Sequence, residues 1–185
     1  TVAQREGYWR EDDTYLVAAP YYHASGTWPL ISMLAAAGTS IVLPAFDATA
    51  ALRAIEEYKA TTSLLVPTMI QMVIDHPNFS KTDLSSLKTV VYGASPITEA
   101  LLTRALAALP NAEFVQAYGM TELSPQIAAL HHRHLIGPGR EAGRHRAAGR
   151  ACYGMEIKVV DEDDKEQPRG EVGEIIARGE SVMLG

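Results

Sequence analysis

Short apolar runs separated by amphipathic stretches organise the chain from Tyr15 to Ala117. Tyr15-Leu16-Val17-Ala18, Ser40-Ile41-Val42-Leu43, Ser63-Leu64-Leu65-Val66, Thr89-Val90-Val91-Tyr92 and Glu113-Phe114-Val115-Gln116 predict strands. After the second run, Ala48, Ala51, Leu52, Ile55 and Tyr58 recur at helical spacing, with Arg53, Glu56, Glu57 and Lys59 on the other face. This predicts a surface helix laid on a sheet. Pro67 suits the first position of a second helix, where its missing N–H is harmless, and Met69, Ile70, Met72 and Val73 give that helix an apolar face ending before Pro77. Both methionines read as core filler. Leu101, Leu102, Ala105, Leu106 and Leu109 form a further stripe, stopped by Pro110. Trp28 to Ala37 is apolar almost all round, which predicts a buried helix. Alternation of this kind implies an α/β fold, a mainly parallel sheet flanked by helices.

Beyond Gly137 the pattern changes. Gly, Arg and Ala dominate as far as Ala151, and then Met155 to Val160 and Gly173 to Ala177 read as strands around the acidic link Asp161 to Gly170. The tail therefore predicts a small antiparallel β-rich segment. Residues 1–136 form the expected α/β part and 137–185 the start of a β-rich subdomain. Thr1 is not a natural start residue and the final strand is followed only by a short tail, so the sequence reads as an excerpt from a larger protein.

Composition narrows the function classes. With 185 residues, 47% hydrophobic and 21% charged, the chain can bury a substantial core. A formal net charge of -6 argues against a nucleic-acid partner, and the basic stretch Arg133, Arg140, Arg144, Arg146 and Arg150 reads as solvated surface. A single cysteine, Cys152, excludes an internal disulfide and a thiolate metal cluster, which favours a reducing compartment and the cytoplasm. The longest apolar stretch, around Leu30 to Ala37, is too short for a transmembrane segment.

The richest chemistry lies in Tyr118-Gly119-Met120-Thr121-Glu122, directly behind an apolar run. It offers a ring to stack on a purine, a backbone open to close approach, a hydroxyl for phosphate or carboxylate oxygens, and a carboxylate for a hard cation. Taken alone, the stretch also admits a reading as an ordinary strand-to-loop turn. Gly93-Ala94-Ser95-Pro96 sits where a hydrolase nucleophile elbow would, but Pro96 has no N–H for an oxyanion and Ile97 replaces the last glycine. A flat backbone beside a ligand, with Ser95 or Thr98 capping the next helix, is the better account. Gly137-Pro138-Gly139-Arg140-Glu141-Ala142 matches a dinucleotide fingerprint formally, yet its context predicts a loop. His131, His132 and His134 read as solvated loop residues, and Asp161 to Asp164 as a turn. His23 stands at the mouth of the apolar helix, where it either lines a pocket or serves structure alone.

The order of these stretches is more specific than any one of them. Pro20-Tyr21-Tyr22-His23-Ala24-Ser25-Gly26 comes first, followed by Gly93-Ala94-Ser95-Pro96 and Tyr118-Gly119-Met120-Thr121-Glu122. Gly149-Arg150, Gly154-Met155-Glu156-Ile157 and Gly170-Glu171-Val172-Gly173-Glu174-Ile175 with Arg178-Gly179 complete the series. Together they resemble the adenylate-forming acyl-CoA synthetases over nearly the whole chain. The tail, through Val182-Met183-Leu184-Gly185, looks most like bacterial fatty-acid CoA ligases.

That resemblance implies activation of a small-molecule carboxylic acid by ATP as an acyl-adenylate, then transfer to coenzyme A. It implies an adenine stack on Tyr118, an adenine wall from Gly93, Ala94 and Ser95, and contact of Thr121 with the α-phosphate region. Glu122 would bind Mg2+, Gly119 would border the acyl carboxylate, and His23 would stand between the acyl pocket and the coenzyme A passage. The family's phosphate loop, ribose aspartate and terminal-domain lysine have no counterpart here, so the isolated chain is expected to be inactive. A nonribosomal-peptide-type adenylation domain and a non-catalytic nucleotide-binding module remain as alternatives.

Overall fold

The computed structural model describes residues 9–184. Thr1, which prompted the expectation of an excerpt, and Gly185 of the tail motif lie outside them. Five strands follow the predicted runs closely: β1 Thr14–Val17, β2 Thr39–Val42, β3 Thr62–Leu64, β4 Thr89–Gly93 and β5 Glu113–Tyr118. They are connected by α1 Ala24–Ala35, α2 Ala48–Tyr58, α3 Pro67–Ile74 and α4 Glu99–Ala108. Neighbouring strands among these five pair in parallel, in the order β2-β1-β3-β4-β5. The mainly parallel α/β sheet is as expected.

Alternation along the strands explains the two cores. Leu16, Val90, Tyr92 and Phe114 join Leu52, Ile55, Ile70 and Leu102 of the covering helices, whereas Tyr15, Val17, Val91 and Val115 join Met33 and Ile127 on the opposite face. Because both faces are buried, the strands read as continuous apolar runs rather than as alternating ones. Local chemistry fixes the helix starts. The Asp47 carboxylate accepts the Ala50 N–H at 2.8 Å, the Thr98 hydroxyl accepts the Leu101 N–H at 3.2 Å, and Pro67 occupies the first turn of α3.

Two apolar expectations need correction. In α1 only Gly26, Pro29, Ser32 and Met33 are buried, while Ile31 and Leu34 are 56% and 72% exposed. A helix on the outside of a sheet buries only the stripe that meets it, whatever its remaining composition. In α3, Met69 packs against the core as filler, but Met72 is 54% exposed.

Beyond β5 the chain reverses. The short strands β6 Ala128–Leu130 and β7 Arg150–Ala151 add antiparallel to the edge at β5, completing a 7-stranded sheet. Between them Gly137–Glu141 forms a short helix, α5, rather than the predicted loop, with Pro138 in its first turn. The histidines are not simply solvated. His132 Nδ1 accepts the Phe114 N–H at 3.0 Å, and His134 is buried, its Nε2 accepting from Arg133 Nε at 3.3 Å. Burial, reinforced by Arg133, Arg144 and Arg150, lowers the His134 pKa and so favours the neutral ring that this acceptor role requires. The arginine stretch is also partly engaged: Arg146 and Arg140 lie 3.4 and 3.6 Å from the Glu99 carboxylate, and the Arg146 hydrogen bond leads in lowering its pKa.

The tail forms the expected antiparallel pair, β8 Met155–Val160 with β9 Glu174–Gly179. Asp161 Oδ1 accepts the N–H groups of Asp163 and Lys165, both at 2.9 Å, which makes the acidic link a side-chain-capped turn. No helix among the described residues is long and apolar enough to cross a membrane.

One core hydrogen bond bears directly on the cleft described below. The Leu64 N–H donates to the buried Tyr15 hydroxyl at 3.2 Å, and burial pushes that phenol well above its ordinary pKa. Tyr15→Phe is expected to leave the Leu64 N–H unpaired and to lower stability by about 1–3 kcal/mol. Urea unfolding would show this; a variant as stable as the parent would mean that the hydroxyl contributes nothing.

Candidate functional site

β4 and β5 lie side by side and end in step, with Gly93 paired to Ala117. Ligands of parallel α/β sheets bind beyond the carboxyl ends of strands, and here two loops leave that edge together. A Cβ on Gly93 would stand 2.2 Å from the Ala117 carbonyl oxygen, so a glycine allows β4 to close on β5 there. Ala94 follows with φ 64, an uncommon conformation for a residue with a side chain. The second loop folds back on itself more tightly still. A Cβ on Gly119 would lie 1.9 Å from the Pro125 carbonyl oxygen. Thr121–Leu123 then form one 3-10 turn, Ser124 is left-handed at φ 56, and the Ile127 N–H donates to the Tyr118 carbonyl at 2.9 Å to close the loop.

Between these loops and the start of α1 lies an open cleft of about 300 Å3. His23, Gly93, Ala94, Tyr118, Gly119, Thr121 and Glu122, all singled out from sequence, line it. Ser95 does not; it is exposed outside the lining residues, and Thr98 rather than Ser95 caps α4. The wall also contains residues that sequence did not flag as ligand contacts, notably Leu64, Ala117 and Gln126. Gln126 is only 4% exposed and donates from Nε2 to the Ala128 carbonyl at 3.3 Å. A glutamine in a turn-rich stretch carries no sign of such burial. Trp28 lines the cleft too, its ring 4.8 Å from that of Trp9.

His23 caps α1. Its Nδ1 accepts the Ser25 N–H at 3.1 Å and lies 2.8 Å from Ser25 Oγ. Since a backbone N–H can only donate, the neutral ring carries its proton on Nε2. Glu122 and Thr121 are exposed at the cleft. Among the described residues no group of three or more His, Cys, Asp or Glu is placed to hold a metal ion. The donor set is therefore a lone carboxylate with a hydroxyl beside it. That fits Mg2+, which commonly takes one or two carboxylates and completes its shell with water and substrate phosphates.

The chain matches the description "AMP-binding enzyme" over residues 1–185. It belongs to the AMP-binding enzyme family. Two curated members show the range of its similarity. A fatty acid–[acyl-carrier-protein] ligase from Streptomyces coeruleorubidus is 36% identical over 167 residues, covering 90% of this chain and 31% of the relative. A feruloyl-CoA synthase from an Amycolatopsis species is 35% identical over 175 residues, covering 94% and 34%. Among solved structures, the amide bond synthetase McbA from Marinactinospora thermotolerans superposes with a TM-score of 0.86 at 31% identity, covering 96% of this chain and 35% of that one. The chain thus spans about a third of the length of the curated relatives it matches. In this family member the cleft brings the Tyr118 ring, the Thr121 hydroxyl and the Glu122 carboxylate, all from one loop, together with Gly93 and Ala94.

Proposed function

We propose that this chain supplies the nucleotide-facing half of an ATP-dependent acid–thiol ligase. The observation that carries the proposal is the convergence of Gly93, Ala94, Tyr118, Thr121 and Glu122 on one cleft at the ends of β4 and β5. In the first step a carboxylate oxygen of the acid attacks the α-phosphorus of ATP, the bond to the β-phosphate oxygen breaks, and pyrophosphate leaves. In the second, the coenzyme A thiol, losing its proton, attacks the acyl carbonyl and AMP departs. Tyr118 stacks on adenine opposite Gly93 and Ala94, Thr121 hydrogen-bonds the α-phosphate region, and Gly119 borders the acyl carboxylate. His23, with its proton on Nε2, stands between the acid and the thiol. Magnesium, when bound, supplies positive charge to the phosphates, and Glu122 would hold it.

Trp28, Leu64 and Ala117 give the acid an apolar wall, which suits a fatty acid. The test uses the full-length protein: pyrophosphate exchange with short, medium, long and aromatic acids, followed by acyl-CoA formation. Exchange with an aliphatic acid and a coenzyme A product is the expected result. Exchange with aromatic acids alone would replace the fatty acid, transfer only to a carrier-protein thiol would replace coenzyme A, and no exchange with any acid would leave a binding module. The 185-residue chain alone should give no turnover, because no Gly- and Lys-rich loop among its residues grips the phosphates.

A further inference from the structure

The turn carrying Glu122 is tied to a distant part of the chain. Leu123 N–H donates to the Met120 carbonyl at 3.0 Å and Ser124 N–H to the Thr121 carbonyl at 3.1 Å, which closes the turn on itself. The carbonyl of Glu122 instead accepts the Met183 N–H at 2.9 Å, from the segment that follows β9. Val182, like Leu123 and Trp28, also packs against the buried apolar cluster on that face of the sheet. That segment is anchored in turn to the β8–β9 pair, where Val182 N–H reaches the Gly179 carbonyl at 3.2 Å and Ser181 Oγ lies 3.0 Å from Met155 Sδ. The backbone bond thus joins Glu122 to Met183, and their chain neighbours Leu123 and Val182 both pack against one buried apolar cluster.

We propose that Val182-Met183 is a positioning strap that fixes the direction of the Glu122 carboxylate, so that the β8–β9 sheet sets the cation affinity of the nucleotide cleft. The inference rests on the assignment of Glu122 as the cation carboxylate. Glu122 is exposed, and among the described residues no hydrogen bond or ion pair holds its side chain. Its aim is therefore set by the backbone of the turn. A three-residue turn ending in a left-handed serine has few internal restraints, and an external hydrogen bond to its central carbonyl removes the peptide's freedom to rotate. Met183 touches no substrate on this account; its amide acts through Glu122.

The experiment uses the full-length protein and a non-hydrolysable ATP analogue. Met183→Pro removes the donor N–H, while Met183→Leu keeps it in a similar volume. Calorimetric titration of the analogue at varied magnesium is expected to show about a tenfold higher cation requirement for Met183→Pro, the scale of one net hydrogen bond. Its affinity without magnesium should stay within about twofold of the parent, and hydrogen exchange at residues 121–124 should accelerate. Met183→Leu should match the parent in all three measurements. An unchanged cation requirement in a folded Met183→Pro protein overturns the strap, as does an equal loss of affinity with and without magnesium. Should that variant not fold, Val182→Ala carries the test, with faster exchange at 121–124 and about a threefold higher cation requirement expected, and unchanged values overturning the proposal. Glu122→Gln separates the two levels. If it leaves the cation requirement unaltered, the Glu122 assignment fails; if it alters the requirement while the strap variants do not, the strap alone fails.

Discussion

Glu122→Gln in the full-length protein is expected to lower acid-dependent pyrophosphate exchange about a hundredfold at limiting magnesium, with folding stability held within about 0.5 kcal/mol. The two halves of this expectation have separate physical origins. Glutamine keeps the size of the side chain and the backbone of the Thr121–Leu123 turn, and Glu122 is exposed, so little packing is lost. What disappears is the negative charge. Glu122 is the only acid among the described residues that line this cleft, so none of them replaces the lost charge. The deficit should shrink as magnesium is raised, because a weakened site can be refilled by mass action. Initial rates over a magnesium series, alongside thermal melting, measure both quantities. Unchanged kinetics at limiting magnesium would remove Glu122 from the site.

Gly119→Ala tests the backbone rather than a functional group. The added methyl would lie 1.9 Å from the Pro125 carbonyl oxygen, 2.9 Å from its carbon and 3.0 Å from the Gln126 Cα. All three are main-chain atoms, so no side chain can swing aside. The loop must open, and with it move Tyr118 on one side and Thr121 on the other. We expect nucleotide affinity to fall at least about tenfold and stability to drop by about 1–3 kcal/mol, the usual range for overpacking. Gly154→Ala is a useful contrast. Gly154 has φ 83 but nothing within 4 Å of its would-be Cβ, so that change carries conformational strain without a clash and lies outside the cleft. It should lose about 1 kcal/mol and leave nucleotide binding intact. Equal nucleotide titrations for Gly119→Ala and the parent would show that close approach at Gly119 is dispensable.

Strands β1, β4 and β5 were legible because each buries apolar residues on both faces, and β2 and β3 because short apolar runs there stand between amphipathic stretches. β6 was not. Ala128-Ala129-Leu130 has no β-branched or aromatic residue, and its extended form comes from pairing with the exposed edge of β5, a tertiary effect that local sequence does not record. α1 shows the converse error. Its composition correctly marks a helix, but composition does not say how many sides of a helix will be covered. At the cleft, Tyr118 to Glu122 was legible because four chemistries occur together, and Gly93-Ala94 because the backbone there must be bare. That Ser95 lies outside the cleft lining and Gln126 within it was not legible. Whether a side chain faces a cleft depends on turn geometry, such as the left-handed Ala94 just before Ser95, and not on the residue's chemistry.

The alignment of Gly93 with Ala117 has a consequence for how this protein can vary. Both walls of the cleft are launched from neighbouring strands at the same height, and a strand advances about 3.3 Å per residue. Inserting or deleting one residue within β4 or β5 would raise one wall against the other by that distance and invert the facing of every side chain beyond it. The acidic turn between β8 and β9, held by Asp161, carries no lining residue of this cleft. A change of length at Asp161 to Gly170 would disturb only that turn, whereas the two central strands must keep their residue count together or set the cleft walls out of step.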